Sequence, residues 1–196
     1  MVKNNLISED MLNNLIILDR DGVINKNSKE YIKNKDEWVS IQGSIKAISK
    51  LYNNGFKIVI VTNQSGIGRG LFSEIELREI HLKMTLEIES HGGSIEGIYF
   101  CPHKPDDNCI CRKPKIGLIK ILEDDLKIKA KNAILIGDSH SDIVLANSIE
   151  ALPILVKTGN GKETLSKLAD SNIKYLCFES LEDATEAIIK KSIIRS

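Results

Sequence analysis

The chain carries no surplus charge of either sign: 27 Lys and Arg balance 27 Asp and Glu over 196 residues. A global field drawing in nucleic acid or an anionic membrane is thereby excluded, so any anion must be held by local groups. No apolar run approaches the ~20 residues of a membrane span. The polar opening stretch MVKNNLISEDMLNN lacks the uninterrupted apolar core of a secretory signal. A cytoplasmic protein with no membrane contact is the expectation. No repeat, low-complexity tract or Pro/Gly/Ser-rich linker divides the sequence, so a single domain over 1–196 is expected, with a monomer as the default. Cysteine is also scarce. Three of the four cysteines fall within residues 101–111, and the fourth, Cys177, sits in the apolar run YLCF (175–178) as a small core residue. A disulfide framework would spread its cysteines along the chain, so the clustering favours reduced thiols on a metal.

Apolar runs alternate with helical patterns. Residues 15–18, 57–62, 95–100, 133–137 and 152–156 read as strands, with a small one near 174–178. Between them lie helical patterns over 43–54, 73–89, 117–126, 142–148, 162–169 and 180–190. Ser73 with Glu76 three residues on is a capping box. This order predicts an α/β fold: a doubly wound, Rossmann-like parallel sheet with helices on both faces. Such sheets bind ligands beyond the carboxyl ends of their strands.

The first strand runs into Asp19-Arg20-Asp21-Gly22, and the second into Thr62-Asn63-Gln64-Ser65 and a glycine-rich turn at 65–70. The fourth runs into Gly137-Asp138-Ser139-His140-Ser141-Asp142. The third runs into Cys101-Pro-His103, then Cys109-Ile-Cys111, then Arg112-Lys113. Taken singly, Asp-x-Asp is a common turn, Gly-Asp-Ser caps a helix, and a lysine is a solvated charge. Together they place carboxylates, a hydroxyl, backbone amides and a cation at one sheet edge. Converging carboxylates repel, and a hard divalent cation such as Mg²⁺, shared with a phosphate, resolves that repulsion. Such an edge suits two-step hydrolysis of a phosphate ester: one carboxylate attacks phosphorus, a second moves the proton, and a hydroxyl and an ammonium steady the phosphoryl oxygens. The thiols and imidazole make a closed Cys₃His set with no open position, so Cys101, His103, Cys109 and Cys111 read as ligands of a structural Zn²⁺. His81 reads as a surface or boundary residue, His91 as a helix-end residue, and His140 as either a substrate contact or a helix start.

These motifs resemble those of the haloacid dehalogenase-like phosphohydrolases. Within that superfamily, DRDGVIN, VTNQSGIGRG, the YFCPH…CxCRKP loop and VKTGNG are most similar to the D-glycero-D-manno-heptose 1,7-bisphosphate 7-phosphatases. The resemblance runs from about Leu15 to Thr164. It implies Asp19 as nucleophile, Asp21 as general acid/base, and Thr62 and Lys113 as phosphoryl stabilisers. Mg²⁺ would be held by Asp19, the Asp21 carbonyl and Asp138, with Asp142 in support. Asn63, Gln64, Ser65, Arg112, Tyr31 and Arg69 would meet the rest of a small sugar-phosphate substrate.

The chain has no insertion large enough for a cap domain. Three segments would then flank the site: 25–40 with Tyr31 and Trp38, the glycine turn, and the zinc-stapled loop. Two departures from the family pattern stand out. Five residues separate His103 from Cys109, a length also found in the related histidinol-phosphate phosphatases, and residues 25–30 (NKNSKE) replace a shorter, Gly-containing loop. A histidinol-phosphate phosphatase, or another small sugar or polyol phosphatase, is the alternative. A zinc-stabilised binding module without catalysis would lack Asp19, Asp21 or Lys113, and all three are present. A nucleic-acid 3′-phosphatase shares the motifs, but the chain has no basic stripe.

Overall fold

The computed structural model describes residues 12–190. Most of the opening stretch read above as a non-signal lies outside them. Six strands form one sheet: β1 Leu15–Leu18, β2 Lys57–Asn63, β3 Gly97–Cys101, β4 Ile134–Gly137, β5 Leu152–Val156 and β6 Leu176–Phe178. Their order is β3-β2-β1-β4-β5-β6, and every neighbouring pair is parallel. The expected doubly wound sheet is what forms.

Side chains along a strand alternate between faces, and that alternation builds two cores. Ile16, Leu18, Ile58, Ile60, Ile134 and Ile136 point to one face. There they meet α1 (Ser44–Asn53), α3 (Glu74–Ser90) and α7 (Leu181–Ile189) through Ile48, Leu51, Ile80, Met84 and Leu181. Leu15, Ile17, Val59, Val61 and Leu135 point the other way, onto α4 (Gly117–Leu126) and α5 (His140–Ser148). Near the sheet edge, α6 (Gly161–Leu168) packs Leu168 with Ile143 and Leu155. With both faces covered, strands can be apolar throughout, which is why β1 is simply LIIL.

The capping box forms: the Ser73 Oγ accepts the Glu76 N–H and Glu76 Oε2 accepts the Ser73 N–H at 2.6 Å. Three expectations are revised. The glycine turn at 65–70 begins as a one-turn helix, α2 (Ser65–Gly68). Gly66 and Gly68 permit it, since a Cβ on Gly66 would stand 2.1 Å from the Phe72 ring and one on Gly68 2.7 Å from Pro102 O. Trp38, expected beside the site, is 1% exposed in the core with Ile32, because burying its large ring outweighs presenting it to solvent. His81 is no surface residue either; it is buried against Phe100, with ring centroids 6.0 Å apart. Among the described residues, no element forms a separate cap over the strand ends.

Candidate active site

The order of strands reverses between β1 and β4, and the crevice beyond that switch point is where this class of sheet binds ligands. Asp19 continues β1, its N–H donating to Ile136 O of β4 at 3.0 Å. Asp138 follows β4 directly, and Thr62 lies near the end of β2. Carboxylate oxygens of Asp19, Asp138 and Asp142 all lie within 4.8 Å of one another.

Lys113 comes from the segment after β3 and is 4% exposed. Its Nζ lies 2.9 Å from Asp19 Oδ1 and 2.6 Å from Asp142 Oδ1, and donates to Val61 O at 2.7 Å. Burial opposes its charge, but Asp142 and Asp19 prevail and hold its pKa above the ordinary lysine range. It is therefore a permanent cation, pinned at three points. Asn63 fixes its backbone: Asn63 Oδ1 accepts the Lys113 N–H at 3.0 Å and Asn63 Nδ2 donates to Lys113 O at 3.2 Å.

Asp138 is set between two glycines. Its Oδ2 accepts the Asn160 N–H at 2.7 Å and the Asn160 Nδ2–H at 3.1 Å, and Thr164 Oγ1 donates to its main-chain carbonyl. Burial pushes the Asp138 carboxyl up to about 8, with the charges of Asp19 and Asp142 adding to it. Asp19 is raised to about 6, also chiefly by burial, against the lowering effect of Lys113. Two buried carboxylates pushed up together are a donor set that calls for a cation. Asp142 is already engaged by Lys113 and, through Oδ2, by the Ser139 N–H and Oγ–H. Asp19 and Asp138 are the two carboxylates that could best hold a cation.

Asp21 behaves differently. Burial would raise its pKa, but Arg20 first, then Asn25 and Gln64, hold the carboxyl below the usual range. Gln64 Nε2 donates to Asp21 Oδ2 at 2.7 Å and to Thr62 Oγ1 at 3.0 Å.

A cavity of about 240 Å³ opens over these groups, lined by Asp19, Asp21, Thr62, Lys113 and Asp138 together with Tyr31, Asn63, Gln64 and Arg112. Tyr31 reaches it from a left-handed backbone, φ 64°. Of the residues singled out in the sequence, Ser65 and Arg69 do not line it: Ser65 is buried at the start of α2 and Arg69 is exposed. The polar atoms of Asn63 and Gln64 are spent largely on protein partners. Asn27 lines the cavity from the segment 25–40 expected to flank it, and so do Ser139, Ser141 and Asn160, to which the sequence assigned no individual role there. The one signal for Asn160 was its place in VKTGNG, directly after β5.

Beside the cavity, four soft ligands meet. Cys101, Cys109 and Cys111 have Sγ atoms 3.2–3.5 Å apart, and His103 Nδ1 is 3.2 Å from Cys111 Sγ and 3.6 Å from Cys101 Sγ. Bonds of about 2.3 Å to a tetrahedral zinc give edges of roughly 3.8 Å, so the set fits a Cys₃His zinc site with little adjustment. All four cysteines are free thiols. Gly68 N–H donates to Pro102 O at 2.9 Å, tying the metal loop to α2, and Arg112 Nη1 donates to His103 O at 3.3 Å within the loop.

The Polynucleotide kinase 3 phosphatase family model matches residues 14–173. A D-glycero-beta-D-manno-heptose-1,7-bisphosphate 7-phosphatase of Neisseria meningitidis is 41% identical over 91% of this chain and 96% of its own. One from Pseudomonas aeruginosa is 39% identical over 92% of this chain and its full length. A crystal structure of the D,D-heptose 1,7-bisphosphate phosphatase of B. bronchiseptica, complexed with magnesium and phosphate, superposes with a TM-score of 0.85 at 37% identity, covering 90% of this chain and 98% of that one. Likeness of this extent, together with carboxylates, lysine and Cys₃His set converging on one crevice, shows that the chain belongs to the heptose-1,7-bisphosphate 7-phosphatase family of haloacid dehalogenase-like phosphohydrolases.

Proposed function

We propose that the chain, acting as a single-domain monomer in the cytoplasm, removes the 7-phosphate of D-glycero-D-manno-heptose 1,7-bisphosphate in nucleotide-activated heptose biosynthesis. The observation that carries this reading is Lys113 Nζ at 2.9 Å from Asp19 Oδ1 on the wall of the 240 Å³ cavity. Relatives at about 40% identity bear the heptose name, which favours a heptose over histidinol phosphate as substrate. The matching family model is named for polynucleotide phosphatases, but zero net charge argues against a polynucleotide substrate here. Reduced thiols at the Cys₃His set fit a reducing compartment.

Asp19 Oδ1 takes bonds from Lys113 and from the Arg20 N–H, which leaves Oδ2 for phosphorus. In the first step the Asp19–phosphorus bond forms and the bond to the sugar oxygen breaks, while Asp21 passes a proton to that oxygen. In the second, water attacks the aspartyl phosphate, gives a proton back to Asp21, and releases inorganic phosphate. Lys113 and Thr62 stabilise charge on the phosphoryl oxygens. Asp19, Asp138 and the Asp21 carbonyl would hold Mg²⁺, which would supply Lewis-acid charge to the phosphoryl oxygens. Cys101, His103, Cys109 and Cys111 would hold Zn²⁺ as a closed set with no open position, which would order the loop that carries Arg112 and Lys113 without taking part in the reaction.

The test is a phosphate-release assay with both heptose bisphosphate anomers, histidinol phosphate and a 3′-phosphorylated oligonucleotide, with Asp19→Asn as control. Preference for a heptose bisphosphate that disappears in Asp19→Asn is expected. Preference for histidinol phosphate or the oligonucleotide would overturn the substrate assignment, and near-normal turnover in Asp19→Asn would overturn the nucleophile.

A further inference from the structure

Arg20 lies between the two catalytic carboxylates in sequence, is 0% exposed, and does not reach the cavity wall. Its fork folds back onto Asp21: Nη2 donates to Oδ1 at 2.6 Å and to Oδ2 at 2.8 Å, and Nε donates to Oδ1 at 3.2 Å. Gln64 Nε2 adds a bond to Oδ2 at 2.7 Å, and Asn25 Nδ2 one to Oδ1 at 2.9 Å. Taking a guanidinium out of water is costly unless it is paired with good geometry. Among the described residues, Asp21 is its ion-pair partner. Behind the pair, Arg20 Nη1 and His81 Nε2 are buried without hydrogen-bond partners. His81 is held neutral, down to about 3, by burial first and by the Arg20 charge second. The positive charge of Arg20 is therefore directed at Asp21 alone.

Every one of these partners is an N–H donor. A proton on Asp21 finds no acceptor among them. The side chain is still 23% exposed and lines the cavity, so its proton exchanges on that side.

We propose that Arg20, assisted by Gln64, is the positioning residue of the proton-transfer step: the fork fixes the Asp21 carboxylate so that its exposed side meets the leaving oxygen. Arg20 touches no substrate and acts only through Asp21. A lysine in its place keeps the charge but loses the two-pronged geometry. The inference rests on Asp21 being the general acid/base.

A leaving-group comparison separates positioning from general damage. A sugar alkoxide departs poorly without a proton, whereas 4-nitrophenolate departs readily, and kcat/KM covers the steps up to departure of the leaving group. Asp21→Asn, Arg20→Gln, Arg20→Lys and Gln64→Met are assayed with heptose 1,7-bisphosphate and with 4-nitrophenyl phosphate, with zinc content and melting temperature recorded. General acid catalysis is worth about 10²–10⁴-fold, so Arg20→Gln should lower kcat/KM about 30-fold or more on the sugar phosphate and less than about 3-fold on the aryl phosphate. Arg20→Lys should recover part of the loss, and Gln64→Met should show a smaller loss with the same selectivity. Equal losses on both substrates, while Asp21→Asn stays selective, would overturn the proposal and spare the assignment of Asp21. Equal losses in Asp21→Asn would overturn both. If the Arg20 variants fail to fold, Gln64→Met decides: a selective loss supports the clamp and an unselective one removes it.

Discussion

Gly22 and Gly159 close on Asp138 from two sides. A Cβ on either would stand 2.0 or 2.2 Å from Asp138 Oδ2, and Gly22 also holds a φ of +84° that side chains rarely adopt. Gly22→Ala should therefore displace the Asp138 carboxylate, the proposed Mg²⁺ ligand, without touching its chemistry. The Mg²⁺ concentration for half-maximal activity should rise about 10- to 100-fold, the range seen when a metal ligand loses its support; an unchanged Mg²⁺ titration would contradict this. We propose Arg112 as the cation that meets the phosphate that is not cleaved, since it lines the cavity and makes a 3.3 Å bond to His103 O. Arg112→Ala should raise KM for the bisphosphate about tenfold or more, the worth of a hydrogen bond to a charged group, and should raise KM for a monophosphate much less. Equal rises for the two substrates would remove Arg112 from that role.

Among the elements, the zinc loop is the least able to hold its shape from its own chain. Between β3 and α4 it contains only a 3₁₀ turn at Pro105–Asp107, and Ile110 is 79% exposed. Its anchor is Cys101, which is buried at the end of β3 and belongs to both the metal set and the core beneath. A structural zinc couples its binding free energy to the ordering of such a segment. Replacing Cys111 by Ser, or stripping zinc and then restoring Mg²⁺, should lower the melting temperature by about 10 °C, as expected for a loss of about 3 kcal/mol in a chain of this size. Turnover should fall with it because Lys113 follows the loop. Full activity in zinc-free protein would show that the Asn63 clamp and the two carboxylates place Lys113 unaided.

At the scale of the whole molecule, buried polar groups behind the crevice couple stability to pH. His81 has a folded pKa of about 3 against an ordinary 6.5. Below pH 6.5 the unfolded chain takes up a proton that the folded chain refuses. The stability His81 contributes is therefore present above 6.5 and is lost as pH falls from there toward 3, by at most about 1.4 kcal/mol per pH unit. Urea unfolding of the native chain between about pH 7.5 and 5, with Mg²⁺ present to hold Asp19 and Asp138 ionised, should show a steeper decline than His81→Gln. Parallel profiles would refute the assignment.

Strand positions were legible because a strand covered on both faces must be apolar along its length, as LIIL and ILIG are. The residues directly after those strands were legible for the same reason, since chemistry in such a sheet collects at one edge. The zinc set was legible because its four ligands lie close in sequence, on a loop with few apolar residues. Side-chain direction was not. Arg20 and Gln64 turn toward Asp21, Asn63 toward the Lys113 backbone, Trp38 into the core and Asn160 onto Asp138. Each of those choices depends on which distant charge or apolar surface folding brings within a few ångströms. Local sequence thus determined which groups stand at the edge of the sheet, and only tertiary packing decided which of them face substrate and which hold the others in place, because burying a charge or a donor is tolerable only opposite a partner supplied by another part of the chain.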